Sequence, residues 1–375
     1  MKTYEYKVHF ETVTPLHFGD AWQDNKAPFK TSSILGSLRF WFEVICYLSC
    51  ITKPDDYPIN VDDKYDKANK NNKDKTNIIL KADLKQDEFR NKLKKLIETA
   101  EKNYSTEDLV SELLAEMKIP LPARIFGCTG WQGLIKVKKV KKVGSDKKIN
   151  LPYRICISKS DRYTPILRNR ACPPRSNSKY SVHYFPKGYF YGDFEVIFST
   201  DENTAHHILF PLLKFIEHYG FIGGAWNSGF GRVKVNFKGT KGEYNSFTDY
   251  AEFANKPLCI HSLVKSVETK SDLLPGKKIN KLRLFVSNNT QNFNGENIKS
   301  ILEGLVKEKF YIRKNENSKE KFNQVFGTTR SPVHGSKILP WIHEVNEKGA
   351  KWKYGFISIV DILNLGKRED GKNES

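Results

Sequence analysis

The sequence predicts an α+β protein with two domains. Three observations lead to this prediction. A length of 375 residues exceeds what one hydrophobic core usually organises. Stretches that alternate apolar and polar residues, as half-buried strands do, lie between stretches of helical periodicity. A Gly- and Lys-rich stretch separates the two patterned regions. We therefore predict a first domain at 1–238, a linker at 239–280, a second domain at 281–365 and a polar tail at 366–375.

The first domain begins with a predicted strand and a predicted buried helix. Residues alternate between apolar and polar from Tyr4 to Phe10, and Thr14-Pro15 ends the strand. Ser32 or Ser33 then caps a helix that runs to about residue 49. Apolar residues cover nearly its whole circumference, so most of its sides should be buried.

Residues 50–118 predict an insertion after this helix. Its first part, 53–83, is too polar to pack a core and should be flexible. Two amphipathic helices are predicted beyond it, at 84–103 and 106–117.

The remaining elements of the first domain are strands at 134–143 and 189–199, a helix at 204–219 and a final strand at 233–237. A basic, Pro-rich loop at 144–188 joins the first two strands. Pro211 should kink the helix, and Gly220 ends it. The order strand, helix, strand, strand, helix, strand is that of a ferredoxin-like domain.

The second domain has a weaker pattern, which predicts a degenerate ferredoxin-like domain. Its predicted elements are a strand at 281–287, helices near 296–309 and 336–347, and a strand at 352–360.

The positive charge of the chain is concentrated in one segment. The formal net charge is +19, and residues 136–179 contain fourteen Lys and Arg against two Asp, a net of +12. Such a concentration is typical of a protein with a polyanionic partner. The arginines of 162–175 are interleaved with Tyr and Pro, and arginine binds phosphate bidentately, which lysine does not. A solvated, lysine-rich loop is the alternative interpretation for residues 136–148.

Cysteine usage and hydropathy favour a cytoplasmic protein. The six cysteines are scattered without a CxxC pair, so a zinc ribbon is not predicted and a reducing compartment is expected. The N-terminal residues do not form a secretory signal. The longest apolar helix, 34–48, contains Arg39 and Glu43 and is too short to cross a bilayer.

A glycine-rich loop at 220–232 is the first candidate binding site, and its glycines are Gly223, Gly224, Gly229 and Gly231. It lies between a helix and a strand, whereas a dinucleotide-binding fingerprint follows a strand and begins a helix. No P-loop motif is present. Trp226, Asn227 and Arg232 favour single-stranded RNA, which is held by stacking and polar contacts. The alternative is a tight connection that serves only packing.

Two further features leave alternatives open. Arg39 and Glu43 lie one helical turn apart, which predicts either an internal salt bridge or an arginine that faces RNA phosphates. His17 follows the first strand and is a candidate general base for a metal-independent endoribonuclease. Because no HExxH, HD or paired-acid motif occurs, we predict no catalytic residue, metal site or cofactor in this chain.

Two motifs near the N-terminus resemble the RAMP superfamily of CRISPR systems. They are Thr14-Pro15-Leu16 with Gly19, and the run from Ser33 to Trp41. Their pairing is most similar to the family of the first subunit of the Cmr (type III-B) effector complex. Arg124-Ile125-Phe126-Gly127 and Gly229-Phe230-Gly231 fit features of the superfamily. The resemblance is strongest over 4–48 and 121–238 and loose over 239–375, and Phe221 stands where the usual loop pattern has a glycine.

This resemblance implies ferredoxin-like folds and an RNA-binding, non-cleaving subunit. Its expected partners are the 3′ part of the guide RNA, single-stranded target RNA and the other Cmr subunits. A repeat-processing endoribonuclease with a His base such as His17 is the alternative from another class. A general RNA-binding module is the third.

The predicted RNA contacts combine the basic segment, the glycine loop and the first helix. Phosphate contacts are expected from Lys30, Arg39, Arg124, Arg162, Arg168, Arg170, Arg175, Lys179 and Arg232. Trp131 and Trp226 are the predicted stacking residues. Asn227 and Ser228 would line the glycine loop beside Trp226.

Overall fold

A computed structural model describes most of the predicted elements. The described residues are 2–18, 29–48, 51–52, 59–60, 77–78, 82–99, 105–174, 177–237, 285–287, 297–314, 326, 336, 338–347 and 350–358. The predicted linker and tail and most of the segment 53–83 lie outside them. Helices and strands are mixed throughout the described chain, so the predicted α+β class is confirmed at that level.

The strands of the described chain are β1 (Tyr4–Thr12), β2 (Ile59–Asn60), β3 (Asn77–Ile78), β4 (Lys136–Val143), β5 (Arg154–Ser158), β6 (Leu167–Arg168), β7 (Tyr180–Tyr184), β8 (Asp193–Thr200), β9 (Val233–Asn236), β10 (Phe285–Ser287), β11 (Ile338–Glu347) and β12 (Ala350–Ser358). The helices are α1 (Thr31–Leu48), α2 (Gln86–Thr99), α3 (Thr106–Glu116), α4 (Leu121–Phe126), α5 (α-helical at Glu202–Thr204 and Phe210–His218, π-helical at Ala205–Leu209) and α6 (Ile298–Lys314). Short 3₁₀ turns occupy Asn169–Ala171 and Trp226–Ser228. No described helix is both long enough and apolar enough to cross a membrane.

The main sheet has the order β4-β8-β1-β9, and all of its neighbours are antiparallel. Strand β1 is central, because it pairs with β8 on one side and with β9 on the other. The alternation of its residues places Val8 and Phe10 fully inside the core. Helices α1 and α5 contribute to the same core, through residues such as Trp41 and Phe215. The elements around this sheet follow one another in the order that the sequence predicts.

Helix α1 begins before the predicted cap. It starts at Thr31, and the carbonyl of Lys30 accepts the amides of Ser33 and Ile34. The prediction of Ser32 or Ser33 as the N-cap is therefore wrong, because both lie in the first turn. The apolar pattern of a helix identifies its buried face, but it does not fix the first helical residue to better than one or two positions.

Helix α5 contains the irregularity expected near Pro211. A π-helical segment precedes the proline, and the amide of Phe210 donates to the carbonyl of Ala205, five residues back. Pro211 has no amide hydrogen for the carbonyl four residues earlier, so regular α-helical bonding cannot continue through it.

The predicted loop 144–188 contains a second sheet, in the order β6-β5-β7. The loop prediction is wrong here because charged flanks hide a short apolar strand, in which Ile155 and Ile157 are buried. Cys156 and Cys172 form a disulfide in this sheet, with their Cα atoms 5.6 Å apart. Disulfides are rare in a reducing compartment, so this pair does not follow from the expectation of one.

In the second unit, β10, β12 and β11 form an antiparallel sheet in that order. The prediction of a helix at 336–347 is wrong, because residues 338–347 form the strand β11. Its apolar residues Ile338, Trp341 and Ile342 fit the spacing of a helix face as well as they fit a buried strand. Pairing with β12, from Ile338↔Ser358 to Glu347↔Ala350, decides in favour of the strand.

A second core joins this unit to the small sheet and the glycine loop. Leu302 of α6, Ile342 of β11 and Ile155 of β5 share it with Phe230 of the glycine loop. Helix α6 is thus packed between the basic segment and β11, next to the loop that the sequence singles out.

Candidate nucleic-acid interface

The amides of the glycine-rich loop bind other parts of the protein. The Gly223 amide donates to Oγ of Ser37 at 3.0 Å, and the Gly224 amide donates to the carbonyl of His17 at 2.6 Å. The Gly231 amide donates to the carbonyl of Pro15 at 2.9 Å. These three donors hold the loop on α1 and on the end of β1, so they are not available to a phosphate in this conformation.

Close backbone contacts explain why glycines occupy this loop. A Cβ on Gly223 would lie 2.6 Å from the carbonyl oxygen of His17, and one on Gly231 would lie 2.4 Å from that of Ile222. Both glycines also have positive φ, at 80° and 99°. The packing interpretation of the loop, left open by the sequence, therefore fits its geometry.

Trp226 uses its stacking capacity inside the protein. Its ring stacks near Trp41 and Phe221, with centroids 5.7 and 6.0 Å away, and it also contacts Phe40. Its indole Nε1 is buried and has no hydrogen-bond partner among the described residues. Trp226 is thus a packing residue of the loop in this structure, and its role in stacking a base stays a prediction.

Asn227 and Ser228 have different environments. The Asn227 side chain is exposed, and its carbonyl lies 3.4 Å from Nζ of Lys309 in α6. Ser228 is buried, with Oγ 3.3 Å from Nε2 of His183. Of the loop residues that were predicted to face RNA, Asn227 is therefore the accessible one.

Beside the loop lie two half-buried titratable groups, His183 and Lys309, for which the sequence gives no signal. Burial, assisted by the charge of Lys309, lowers the pKa of His183 to about 4. Burial also lowers the pKa of Lys309 to about 7, with a smaller contribution from Arg313. Lys309 donates to Oγ of Ser336 at 2.8 Å and to the carbonyl of Ile338 at 2.7 Å.

Arg232 is buried and cannot reach a phosphate in this conformation. It is 1% exposed, and its guanidinium donates to the carbonyls of Ile216, Glu217, His218, Gly220 and Ile342. Burial lowers its pKa to about 9, so it stays charged at neutral pH. The prediction of a phosphate contact is wrong for Arg232 because its donors are used inside the core.

Arg39 forms the internal salt bridge with Glu43, which is one of the two roles predicted for it. Its Nε donates to Oε1 of Glu43 at 2.8 Å, and its guanidinium also donates to the carbonyl of Gly127 at 2.9 Å. The side chain is half-buried and joins α1 to the end of α4.

Arg124 and Trp131 stabilise the junction between the insertion and the main sheet. Nε of Arg124 donates to the carbonyl of Ile119 at 2.6 Å, and burial lowers the pKa of the guanidinium. Nε1 of Trp131 donates to the carbonyl of Arg124 at 2.8 Å, and its ring meets the edge of Phe89. Both predicted RNA contacts therefore have intramolecular partners.

Two exposed arginines of the basic segment pair with carboxylates of α6. Arg168 makes a bidentate pair with Glu303, and Arg162 pairs with Glu308, both on α6. Arg170 lies exposed on a 3₁₀ turn. Arg162 and Arg168 therefore have carboxylate partners within the protein, and their contacts with phosphate stay a prediction.

The other predicted cations differ in their surroundings. Lys30 is half-buried beside the start of α1 and has an interaction partner. Lys179 is exposed, and Arg175 lies outside the described residues. Four lysines of the edge strand β4 were not predicted as contacts although they are exposed, and they are Lys138, Lys139, Lys141 and Lys142. Their repeated Lys-Lys-Val pattern was a usable signal for an exposed cationic edge.

His17 has a structural environment. Its Nδ1 lies 2.6 Å from the carbonyl of Gly188, and its backbone bridges to Gly224 of the glycine loop. Within the described part of the chain, no cluster of three or more His, Cys, Asp or Glu side chains could hold a metal ion.

Comparison with known proteins identifies a family. The model of the RAMP superfamily matches residues 9–234. No curated protein matches the chain.

Among solved structures, Cmr1 from Pyrococcus furiosus in its apo form is 14% identical, with a TM-score of 0.37, over 95% of this chain and 87% of that one. A chain of a type IV-B CRISPR complex is 14% identical, with a TM-score of 0.28, over 68% of this chain and 100% of that one. Cmr6 from Pyrococcus furiosus is 18% identical, with a TM-score of 0.25, over 62% of this chain and 97% of that one. These values are too low to transfer a function or a site residue.

Proposed function

Because the chain belongs to the RAMP superfamily, as its motifs predicted, we propose that it is an RNA-binding subunit of a CRISPR effector complex. In the finer form of this proposal it is the first subunit of a type III-B (Cmr) complex in the cytoplasm. It contacts the 3′ part of the guide RNA, helps to capture target RNA and assembles with other Cmr subunits. The motif pairing at 14–19 and 33–41 supports this assignment.

The sheet topologies support the ferredoxin-like assignment of both domains. In the first, the strands that follow one another as β1, β4, β8 and β9 assemble with β1 and β8 in the middle, and α1 and α5 connect them in pairs. In the second, β10, α6, β11 and β12 form the beginning of the same succession.

The RNA-binding proposal depends on one observation. Several cationic residues are exposed and do not belong to the ion pairs with α6 described above. Arg170 and Lys179 stay exposed in the basic segment, and Lys138, Lys139 and Lys141 are exposed on β4. Exposed cations of this kind neutralise phosphates and release counterions, which makes affinity dependent on salt. Lysines also protect an edge strand from pairing with other chains, so the β4 lysines fit both roles.

We propose that the chain holds RNA without cutting it. The ring of His17, the candidate base, is engaged by the Gly188 carbonyl, and its backbone holds the glycine loop. Both contacts give His17 a structural role, which supports binding over cleavage.

The test is the salt dependence of RNA affinity, measured by fluorescence anisotropy with a single-stranded guide-like RNA. Each phosphate contact contributes about −0.7 to the slope of log K against log salt. Replacing Arg170 and Lys179 by Glu should flatten this slope by about 1.4 or more. The control changes Lys94 and Lys95 of α2, which are also exposed, to Glu and should leave the slope unchanged.

Two outcomes would overturn the proposal. Wild-type protein that does not bind single-stranded RNA would exclude the binding role. A defined cut in repeat RNA incubated with the protein in EDTA, lost in His17→Ala, would favour the endoribonuclease instead.

A further inference from the structure

An exposed aromatic pair lies at one end of the small sheet. Tyr153 precedes β5 and is 46% exposed, and Tyr184 ends β7 and is half-buried. Their ring centroids are 5.4 Å apart, at an interplanar angle of 60°. Nζ of Lys187 lies 4.5 Å from the centroid of the Tyr153 ring. We call Tyr153, Tyr184 and Lys187 the tyrosine patch.

The backbone beneath the patch is fixed by buried structure. Arg154 pairs with Tyr184 in the sheet register, and the Phe185 amide donates to the carbonyl of Tyr153 at 3.0 Å. Phe185 itself is buried in the second core, where it stacks near Phe230. The tyrosines therefore project from a rigid base, which lowers the entropy lost when a ligand stacks on them.

The patch continues into the exposed cations of the basic segment. Nε of Arg154 donates to the carbonyl of Asn169 at 3.1 Å, which places Arg154 beside the 3₁₀ turn that carries the exposed Arg170. Residues 147–192 contain a single acidic residue, Asp161. Its carboxylate is bonded to the amide of Tyr163 at 2.7 Å and to the hydroxyl of Thr164 at 2.5 Å.

The chemistry of the patch matches an unpaired nucleotide. Base rings stack on aromatic side chains, and neighbouring cations contact the flanking phosphates. Both tryptophans predicted to stack are half-buried and have intramolecular contacts, whereas Tyr153 presents an aromatic ring at the surface next to positive charge.

We propose that the tyrosine patch is a stacking site for an unpaired base of single-stranded RNA, with Lys187, Arg154 and Arg170 placed for the adjacent phosphates. This inference rests on the proposed function and adds to it the site of base contact. The ligand class is single-stranded RNA bound without base-edge readout, because a ring face accepts every base.

The test compares tyrosine variants on two RNAs of equal length, oligouridine and the same chain with abasic nucleotides. Stacking on one aromatic side chain contributes roughly 5- to 150-fold in affinity per base. Tyr153→Ala should weaken oligouridine binding at least about 5-fold, with little effect on the abasic chain and an unchanged salt slope. Tyr153→Phe should bind as wild type. Lys187→Ala should instead flatten the salt slope by about 0.7.

Tyr163→Ala is the matched control, because Tyr163 is 91% exposed in the same segment and lies outside the patch. Thermal unfolding of each variant checks the fold. If the wild-type protein binds oligouridine and Tyr153→Ala binds it as tightly as Tyr163→Ala does, the tyrosine patch is not a stacking site. The proposed function would still stand. Loss of association with another subunit, with RNA affinity intact, would make the patch a protein interface and would also overturn the inference. Failure of wild-type protein to bind either RNA would be the failure of the proposed function.

Discussion

At the scale of single residues, Arg232 shows how one buried side chain connects three parts of the molecule. Four of its carbonyl partners lie at the end of α5, and the fifth belongs to Ile342 of β11. A cation at a helix C-terminus also complements the helix dipole. The rings of Phe221 and Trp341 lie near it, with centroids 5.3 and 5.6 Å from Cζ. Within the described part of the chain, backbone carbonyls and ring faces thus compensate the charge, and no carboxylate forms an ion pair with it.

We expect Arg232→Lys to destabilise the fold by about 3 kcal/mol or more, because an ammonium group cannot satisfy five diverging carbonyls. Urea unfolding measures the change in free energy. Arg170→Lys is the control, since an exposed residue should alter stability by about 0.5 kcal/mol at most. A variant Arg232→Lys as stable as wild type would contradict this role.

His183 makes a prediction about acid stability. Its pKa is about 4 in the folded protein and is ordinarily 6.5, so the unfolded chain binds the proton first as the pH falls. His183 should therefore leave the free energy of unfolding unchanged above pH 6.5. Between pH 6.5 and 4 its titration should lower that free energy by about 3 kcal/mol in total. His183→Phe should flatten this part of the stability curve, measured by urea unfolding at each pH.

Ser228→Ala separates the titration from the hydrogen bond. This variant lacks the hydroxyl 3.3 Å from Nε2 of His183 and keeps the imidazole, so the loss of stability between pH 6.5 and 4 should remain. If His183→Phe shows the same loss of stability, other groups cause the pH dependence.

At the scale of elements, helix α6 orders the basic segment. The hydroxyl of Tyr311 donates to the carbonyl of Ser158 at 2.8 Å and to that of Asp161, and Nζ of Lys307 donates to that of Thr164 at 2.6 Å. Together with the pairs that Arg162 and Arg168 make, these contacts fix residues 158–168 against the helix. The segment that the sequence predicts as a basic, Pro-rich loop is held in place by an element more than a hundred residues away.

The two arginine pairs on α6 should differ in their contribution to stability. Glu303 is almost fully buried and Arg168 is half-exposed, so Arg168→Ala leaves a buried carboxylate without its partner. We expect a loss of about 3 kcal/mol, partly recovered in the double variant with Glu303→Gln. Arg162→Ala is the matched control, because Glu308 remains exposed to solvent and the loss should stay within about 1 kcal/mol. Equal losses in urea unfolding for the two arginine variants would contradict this assignment.

At the scale of the whole molecule, the glycine loop is the point where the two units meet. Nε1 of Trp341 donates to the carbonyl of His218 at 2.7 Å, and a Cβ on Gly229 would come within 3.1 Å of Pro340. Phe230 enters the core shared by α6 and the small sheet. The second half of this loop, residues 228–232, is therefore buried where the two units meet, and the exposed cations are on β4 and around Arg170.

Local patterns were sufficient for much of this fold. The alternation of Tyr4–Phe10, the apolar circumference of α1 and the order of elements around the main sheet follow from short-range periodicity, which each segment carries in its own residues. The strand β11 could not be predicted in this way, because the spacing of Ile338, Trp341 and Ile342 suits both a helix and a strand. Only its pairing with β12 distinguishes them.

The candidate site was less predictable than the fold. A sequence shows that Arg39, Arg168 and Arg232 are cations, but their partners Glu43, Glu303 and the carbonyl of Ile342 are chosen by packing. For Arg39 the partner is one turn away, so the alternative was visible. For the other two, the partner is more than a hundred residues distant.

The sequence by itself determined the family, the net charge of +12 over residues 136–179 and the mixed α and β character, since motif, charge and periodicity are properties of neighbouring residues. The tertiary structure decided which of the predicted cations are paired and which are buried. Helix α6 neutralises Arg162 and Arg168, the core encloses Arg232, and Arg170, Lys179 and the tyrosine patch stay at the surface. The reason is physical: burial and pairing depend on distances between segments far apart in the chain, and these distances are set only when the cores pack.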